Sequence, residues 1–152
     1  MRIEKQFSIF MVNKPGVLAK VLNEFAVEKI NLIAISMMDS VEHGVMRIVG
    51  GGAEHIRGLL SRLNLQFSET DVLCVTLGNK AGALAAVTQK LAAAHINISY
   101  AYCTAGAHGG KTTGVLKVAD VAKTMHVLQG HETHKKPSKD NPTIRHNPRG
   151  RR

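Results

Sequence analysis

Two in-register copies of one unit lie within the chain, and this repeat constrains the fold more than any other feature. The segment NKPGVLA at 13–19 recurs 66 residues later as NKAGALA at 79–85. Residues 13–37 laid over 79–103 without gaps give nine identities in 25 positions, where ordinary composition gives roughly one or two. A repeat of this length predicts two copies of a domain-like unit rather than a solenoid of short elements.

The first copy has the pattern of a βαββαβ unit. Residues 4–12 are rich in Phe and Ile on both faces, which is typical of a buried strand. The predicted elements are strand 4–12, a helix beginning near Val17 with its apolar face running to Phe25, strands Leu32–Met38 and Val45–Val49 joined by a loop at Asp39–Gly44, a short helix with Ile56, Leu59, Leu60 and Leu63 on one face, and a strand starting near Leu65.

The second copy repeats this order with a weaker end. Its predicted elements are strand Asp71–Leu77, a helix over about Ala83–Ala94, strands Asn97–Thr104 and Thr113–Val118, and a helix over about Asp120–Leu128. Only Gly130–His134 is left for a fourth strand. We therefore expect this edge of the second sheet to be short or frayed.

A βαββαβ unit closes as a four-stranded antiparallel sheet with both helices on one face. We predict an α+β fold of two ferredoxin-like units, a first domain at 1–69 and a second at 70–134. The other face of each sheet would be bare, although Phe10 and Val12 make it apolar in the first strand. We expect the partner copy or a second chain to cover this face or to extend the sheet edge.

The net charge of +9 is concentrated at the C-terminal end. Seven basic residues and one acid give residues 135–152 a charge of +6, which leaves +3 for the rest of the chain. Three prolines and a single large apolar residue, Ile144, predict that this basic tail is disordered. Because such a tail can bind nucleic acid in a salt-sensitive, sequence-independent way, a nucleic-acid-associated role stays open as an alternative function. The folded part offers few exposed aromatic residues for stacking, which makes nucleic acid an unfavoured partner.

Location is predicted from what the sequence lacks. No apolar run reaches the ~18–20 residues of a transmembrane helix, and the N-terminal MRIEKQ has no basic-then-apolar order of a secretory signal. Two cysteines, Cys74 and Cys103, make no disulfide framework. We expect a cytoplasmic protein without a membrane segment, whose cysteines are small buried strand residues rather than nucleophiles.

A glycine-rich stretch partly matches a phosphate-binding loop. Ala105, Gly110, Lys111 and Thr112 fit the looser form of that pattern, in which a helix must follow so that its N-terminus holds phosphate. Here Thr113–Val118 has the pattern of a strand. The stretch is therefore predicted to be a hairpin loop.

Neither a metal site nor a catalytic site emerges from the residue pattern. His126, His131 and His134 lie close in sequence, but no cysteine or acidic pair completes a ligand spacing. No nucleophile, base and orienting group stand out together. We therefore predict no metal, no cofactor and no catalytic residue.

The repeated motif resembles the ACT domain. Asn-x-Pro-Gly-x-Leu-Ala, an amphipathic helix and then Ile-Asn opening a strand carry the resemblance, which covers about residues 4–130 and not the tail. It is closest to small free-standing proteins made of two ACT domains, and the stretch NISYAY at 97–102 is similar to the second domain of that group.

This resemblance implies a regulatory protein that binds a small effector, an amino acid above all, at an interface between two domains. It also implies a homodimer and a partner enzyme or transporter that senses the bound state. A regulatory subunit that docks on a metabolic enzyme without a ligand of its own is the alternative. The residues implied in ligand binding are Asn13, Pro15, Gly16 and Asn31 in copy one, and Asn79, Gly82 and Asn97 in copy two.

The chemistry of these positions suits an amino acid. A helix N-terminus offers N–H groups to a carboxylate, glycine allows close backbone approach, and an Asn amide can both donate and accept. Copy two has Ala81 in place of the proline, so its loop is less rigid and the two affinities need not be equal. Simpler roles also fit, because Asn13 and Asn79 could be helix N-caps, and Asn31 and Asn97 could end the helices in a left-handed conformation.

Overall fold

The computed structural model describes residues 1–38, 43–104, 106 and 109–130. These residues form six strands and four helices, in the order that the repeat predicts. In chain order they are β1 (Arg2–Val12), α1 (Val17–Val27), β2 (Leu32–Met38), β3 (His43–Gly50), α2 (Ala53–Arg62), β4 (Gln66–Gly78), α3 (Ala83–Ala93), β5 (Ile98–Cys103), β6 (Lys111–Val118) and α4 (Val121–Leu128).

All strands join one antiparallel sheet in the order β2-β3-β1-β4-β6-β5. The α+β fold class is therefore confirmed, while the expectation of two separate four-stranded sheets is corrected. The reason is the length of two strands, since β1 has 11 residues and β4 has 13. Each is long enough to pair with the other and with a strand of its own unit.

The β1–β4 ladder carries an approximate twofold axis that relates the two copies. Lys5 lies opposite Asp71 in this ladder, and the repeat offset of 66 residues carries Lys5 onto Asp71. The axis therefore passes between these two residues, whose side chains form an ion pair of 2.8 Å. Because both side chains are about half exposed, the backbone ladder and not this ion pair holds the two copies together.

The ladder also occupies the side of β4 on which the predicted fourth strand of the second copy would pair. Arg2–Lys5 of β1 pair with Asp71–Cys74 of β4, on the side of β4 where a fourth strand of that copy would lie. Of the segment predicted for that strand, Gly130 lies in a turn after α4, and residues 131–134 lie outside the described residues. The boundary at 69 and 70 falls within β4, and the division into two domains stays a prediction.

The four helices cover one face of the sheet, over two apolar clusters. Odd-numbered residues of β1 and β4 point to this face. The first cluster unites buried residues of β1, α1, β3 and α2 with Ile30, which lies between α1 and β2. Its members are Phe7, Ile9, Met11, Val21, Phe25, Ile30, Met46, Ile48, Ile56, Leu59 and Leu60. The second cluster unites Leu73, Val75, Leu77, Leu91 and Leu116.

On the opposite face, side chains of the strands themselves bury part of the surface. Ala34, Val49, Val72, Cys74 and Val115 form a buried cluster there, with Tyr102 packed against it. At the end of the sheet near β2 the cover stops, and three apolar side chains stay 46–49% exposed: Phe10, Val12 and Met38. Of the two expected outcomes, extension of the sheet edge by the other copy is confirmed, because β4 pairs with β1.

The glycine-rich stretch lies between two paired strands. Lys111–Val118 form the strand β6, which pairs with β5. A strand and not a helix therefore follows the stretch, and the hairpin prediction is confirmed. Residues 105, 107 and 108 of this stretch, and residues 39–42 of the predicted β2–β3 loop, lie outside the described residues. No helix among the described residues is long and apolar enough to cross a bilayer.

The shared ladder predicts that the two copies unfold together. Phe7 is fully buried in the first copy and contacts Phe67 at 5.9 Å between ring centroids, so Phe7→Ala should lower the free energy of unfolding by about 3–5 kcal/mol. The chain has no tryptophan and two tyrosines, which both lie in the second copy. Urea unfolding followed by tyrosine fluorescence and by circular dichroism should give one coincident, shifted transition.

Val27→Ala, at a position that is 73% exposed, is the matched control and should leave the midpoint unchanged. A tyrosine transition that keeps its native midpoint in Phe7→Ala would show that the second copy folds on its own.

Candidate functional site

The loop after β1 is a tight turn fixed by Pro15 and Gly16. The Val17 N–H donates to the Lys14 carbonyl at 3.3 Å, and Gly16 has φ +85° and ψ −16°. This is the geometry of a type II turn, which favours proline at its second position and glycine at its third. The sequence Lys14-Pro15-Gly16-Val17 therefore specifies its own loop.

The loop after β4 has the same geometry. Ala83 N–H donates to the Lys80 carbonyl at 3.3 Å, and Gly82 has φ +82° and ψ −11°. Ala81 stands where copy one has proline. The two copies therefore share the turn but not its rigidity.

Glycine caps both helices, which overturns one of the simpler interpretations. The N-caps of α1 and α3 are Gly16 and Gly82, and neither helix has a side-chain cap. Asn13 and Asn79 lie three residues earlier, so the N-cap interpretation of both is wrong. Pro15 lies in the turn before α1, which begins at Val17. By contrast, Asp120 caps α4 through a 2.8 Å bond from the Lys123 N–H.

Uncapped N-termini leave backbone N–H groups of α1 and α3 for another acceptor. Such groups, together with the positive end of the helix dipole, suit an oxyanion. A Cβ added at Gly16 or Gly82 would meet nothing within 4 Å, so the space in front of each helix is open.

Asn79 ties its loop to the neighbouring hairpin. Its Nδ2 donates to the Gly106 carbonyl at 2.8 Å, and its backbone N–H donates to the Gly110 carbonyl at 2.8 Å. Asn13 occupies the equivalent, exposed place in copy one. The amide of Asn79 therefore already has a structural use within the chain.

Asn31 and Asn97 lie just before β2 and β5, beyond the far ends of α1 and α3. The residues with positive φ there are Lys29 at +54° and His95 at +55°. Lys29 closes α1, since the following Ile30 N–H donates back to Phe25 O at 2.9 Å. The interpretation of the two asparagines as left-handed helix ends is therefore wrong.

Within one copy of the unit the implied ligand residues do not meet. Asn13, Pro15 and Gly16 share one turn, and Asn79 and Gly82 share another. Asn31 is separated from the first turn by the 11 residues of α1, a rise of about 16 Å, and Asn97 is separated from the second turn by α3 in the same way.

The two cysteines have different surroundings. Cys74 is 2% exposed, and burial raises the pKa of its thiol to about 11, so it is a poor nucleophile at neutral pH. Cys103 is exposed at the end of β5. The expectation of buried cysteines is thus confirmed for Cys74 and wrong for Cys103. No group of three or more metal-ligating side chains occurs among the described residues.

A polar cluster on the face opposite the helices was not predicted. Gln6 is fully buried in β1; it donates to the Tyr100 hydroxyl at 2.6 Å and accepts from the Tyr102 hydroxyl at 3.1 Å. Burial raises the pKa of Tyr102, so the hydroxyl stays a donor. Arg47 stacks on the Tyr100 ring at 4.3 Å. The one sequence signal for it is an arginine inside the apolar run VMRIV at 45–49.

Comparison with known proteins identifies this architecture. A family model described as an ACT domain pair matches residues 1–134. Protein BT0572 from Bacteroides thetaiotaomicron has a solved structure with TM-score 0.77 and 29% identity, over 85% of this chain and 88% of that chain. No curated protein matches the sequence.

Two aspartate kinase structures share the fold at lower identity. The regulatory subunit from Thermus thermophilus, in its ligand-free form, has TM-score 0.61 and 13% identity, over 86% of this chain and 97% of that chain. Aspartokinase III of E. coli, in complex with lysine and aspartate, has TM-score 0.54 and 19% identity, over 86% of this chain and 30% of that chain.

The turn geometry predicts a stabilising substitution in copy two. Ala81→Pro places proline where Pro15 stands in copy one, and should raise the free energy of unfolding by about 0.4–1 kcal/mol because it restricts the unfolded chain. Pro15→Ala should lower it by a similar amount. Urea denaturation measures both, and a destabilised Ala81→Pro variant would contradict the type II assignment of the second turn.

Proposed function

The chain belongs to the ACT domain pair family, and on that premise we propose that it is a non-catalytic regulatory protein whose effector, an amino acid, binds between two copies of the chain. One observation carries the proposal. The turn with Asn13 and Gly16 and the strand start with Asn31 lie at opposite ends of α1, so another chain is needed to complete a site that uses both.

The exposed edge of the sheet suggests how a second copy attaches. β2 and β5 are the outer strands. β2 contains no charged residue, and its Ile35 and Met37 are 43% and 46% exposed. β5 exposes only small side chains, those of Ser99, Ala101 and Cys103. An uncharged, apolar edge strand favours pairing with another strand, so the proposed homodimer joins β2 to β2 about a twofold axis.

This pairing would bring the separated residues together. β2 runs parallel to β1, because both are antiparallel to β3, so Met38 ends near the turn that follows β1. In an antiparallel β2–β2 pair, the start of the partner's β2 lies beside Met38. The partner's Asn31 would thus approach the turn that contains Asn13 and Gly16.

The composite site suits the common part of an amino acid. The uncapped N–H groups of α1 would bind the carboxylate, while the amides of Asn13 and the partner's Asn31 would bind carboxylate and ammonium. Binding across the dimer would stabilise one arrangement of the two chains, which a partner enzyme could sense. The structural likeness to aspartate kinase regulatory subunits is consistent with such a role.

Copy two is proposed as the weaker site. Asn79, Gly82 and Asn97 form the equivalent set, but Ala81 stands where proline makes the first turn rigid, and the β5 edge offers little apolar surface for pairing. A cytoplasmic location belongs to the same proposal. The basic tail lies outside the described residues, and its role in nucleic-acid binding stays a prediction.

The ligand proposal predicts a selective thermal shift. In a screen against the twenty amino acids, one chemical group should raise the unfolding midpoint by several degrees at concentrations well above Kd. Asn13→Ala and Asn31→Ala should each abolish the shift, whereas Asn23→Ala on the exposed side of α1 should keep it. No shift with any amino acid at millimolar concentration would contradict the amino-acid proposal and leave the docking-subunit and nucleic-acid alternatives.

The dimer proposal predicts an asymmetric effect of charge at the two sheet edges. Ile35→Lys in β2 places two like charges near the twofold axis and should convert the dimer to monomer in sedimentation velocity. Ala101→Lys on the β5 edge should leave the dimer intact. The reverse pattern would move the interface to β5, and a native chain that sediments as a monomer at every concentration would end the composite-site proposal.

A further inference from the structure

Arg47 differs from the other described arginines in its partners. Three of the four described arginines form ion pairs with glutamates: Arg2 with Glu4, Arg57 with Glu54 and Glu69, and Arg62 with Glu28. Arg47, in the middle of β3, has no carboxylate partner among the described residues. A guanidinium on a largely covered sheet face normally has one.

The hydrogen bonding of Arg47 is incomplete as well. Its Nη1 donates to the Met38 Sδ, a thioether and therefore a weak acceptor. Its Nε is the one buried side-chain nitrogen or oxygen among the described residues that has no hydrogen-bond partner. A buried unsatisfied donor destabilises a fold, and the stacking of the guanidinium on the Tyr100 ring at 4.3 Å does not supply the missing acceptor.

Hydroxyl groups flank Arg47 on the same face. Ser36 of β2 and Ser8 of β1 lie directly opposite Arg47 in the two ladders, and Ser68 of β4 lies opposite Ser8. This row of side chains supplies hydrogen-bond donors around one positive charge.

Within the part of the chain that the structure describes, the titratable neighbours of this row leave its positive charge unbalanced. Glu4, on the same face, is paired with Arg2 at 2.6 Å. Lys117 donates to Thr70 Oγ1 at 2.5 Å and to the Asp71 carbonyl at 3.4 Å, so it too has no carboxylate partner among the described residues.

An exposed apolar row borders the polar one. Met38, Val45 and Phe10 face one another across β2, β3 and β1, two residues along from Arg47. Met38 is 49% exposed and Phe10 is 46% exposed. The surface therefore offers a cation with hydroxyl groups on one side and an open apolar strip on the other.

We propose that the sheet face around Arg47 binds a small molecule that has a carboxylate and an apolar chain. The carboxylate would displace the Met38 thioether and accept hydrogen bonds from the planar guanidinium fork, which fits a carboxylate with two parallel bonds. The apolar chain would lie along Phe10, Val45 and Met38. This site lies on the sheet face away from the helices, so it is separate from the amino-acid site proposed at the helix N-termini.

The two tyrosines make the site directly observable. They are the only tyrosines, and the chain has no tryptophan, so intrinsic emission reports the surroundings of the ring that Arg47 covers. Octanoate serves as the probe, with octanol as the uncharged control and inorganic phosphate as the anion without an apolar chain. Calorimetric titration gives the affinity independently of fluorescence.

The proposal predicts saturable octanoate binding that depends on Arg47. Arg47→Met should weaken it by at least about tenfold, the effect of losing a charge-assisted hydrogen bond, and Arg47→Lys should weaken it less. Arg62→Met, which removes an exposed arginine paired on the helix side, should leave it unchanged. The Asn13→Ala variant should also bind octanoate normally, which separates this site from the amino-acid site.

Stability provides a second readout for the same variant. If Arg47 is kept for a ligand, Arg47→Met should have a thermal midpoint close to the native one without ligand, because removing the unsatisfied buried Nε offsets the loss of the contact with the Tyr100 ring. Equal binding of octanol or phosphate, unchanged octanoate binding in Arg47→Met, or no octanoate binding to the native chain would each overturn the proposal. A destabilised Arg47→Met would give Arg47 a structural role instead.

Discussion

The backbone ladder between β1 and β4 is the interaction on which the rest of the structure depends. It sets Arg2–Phe10 against Gln66–Cys74 about an axis between Lys5 and Asp71, so two units that would each close a small sheet share one. The pairing leaves β2 and β5 at the outside and places all four helices on one face. Because β1 and β4 run in opposite directions, the two glycine turns that follow them lie at opposite ends of the sheet.

In the proposed site, this arrangement would leave each copy of the unit with only part of the residues that bind the ligand. Each turn presents an uncapped helix N-terminus, and each matching asparagine lies a helix length away. The glycine caps lack the side-chain hydrogen bond that Asp120 supplies to α4, so the first N–H groups of α1 and α3 have no side-chain acceptor and would suit the proposed ligand. In the proposed dimer, the apolar β2 edge is the surface through which a second chain would complete the first of these sites.

Much of the fold could be predicted because it is local. Helical spacing predicted the start of α1 at Val17, and alternation with turn residues located β2 and β5. The fusion of two predicted strands into β4 could not be predicted, because a pattern of apolar residues does not say which strand pairs with which. The caps were misread for a related reason, since Asn13 has the chemistry of an N-cap but the type II turn assigns that place to Gly16. The cluster of Arg47, Gln6 and Tyr100 joins three strands and has no local signature.

A mixed-dimer experiment tests the central claim, that ligand binds between chains, most directly. Asn13→Ala and Asn31→Ala chains, each inactive alone, are combined with different affinity tags and the heterodimer is isolated. If Asn13 acts with the partner's Asn31, one of the two sites in the heterodimer is intact, and calorimetry should find native affinity at half the native stoichiometry. A heterodimer that binds no amino acid bound by the native protein would place both asparagines in a site within one chain and contradict the account.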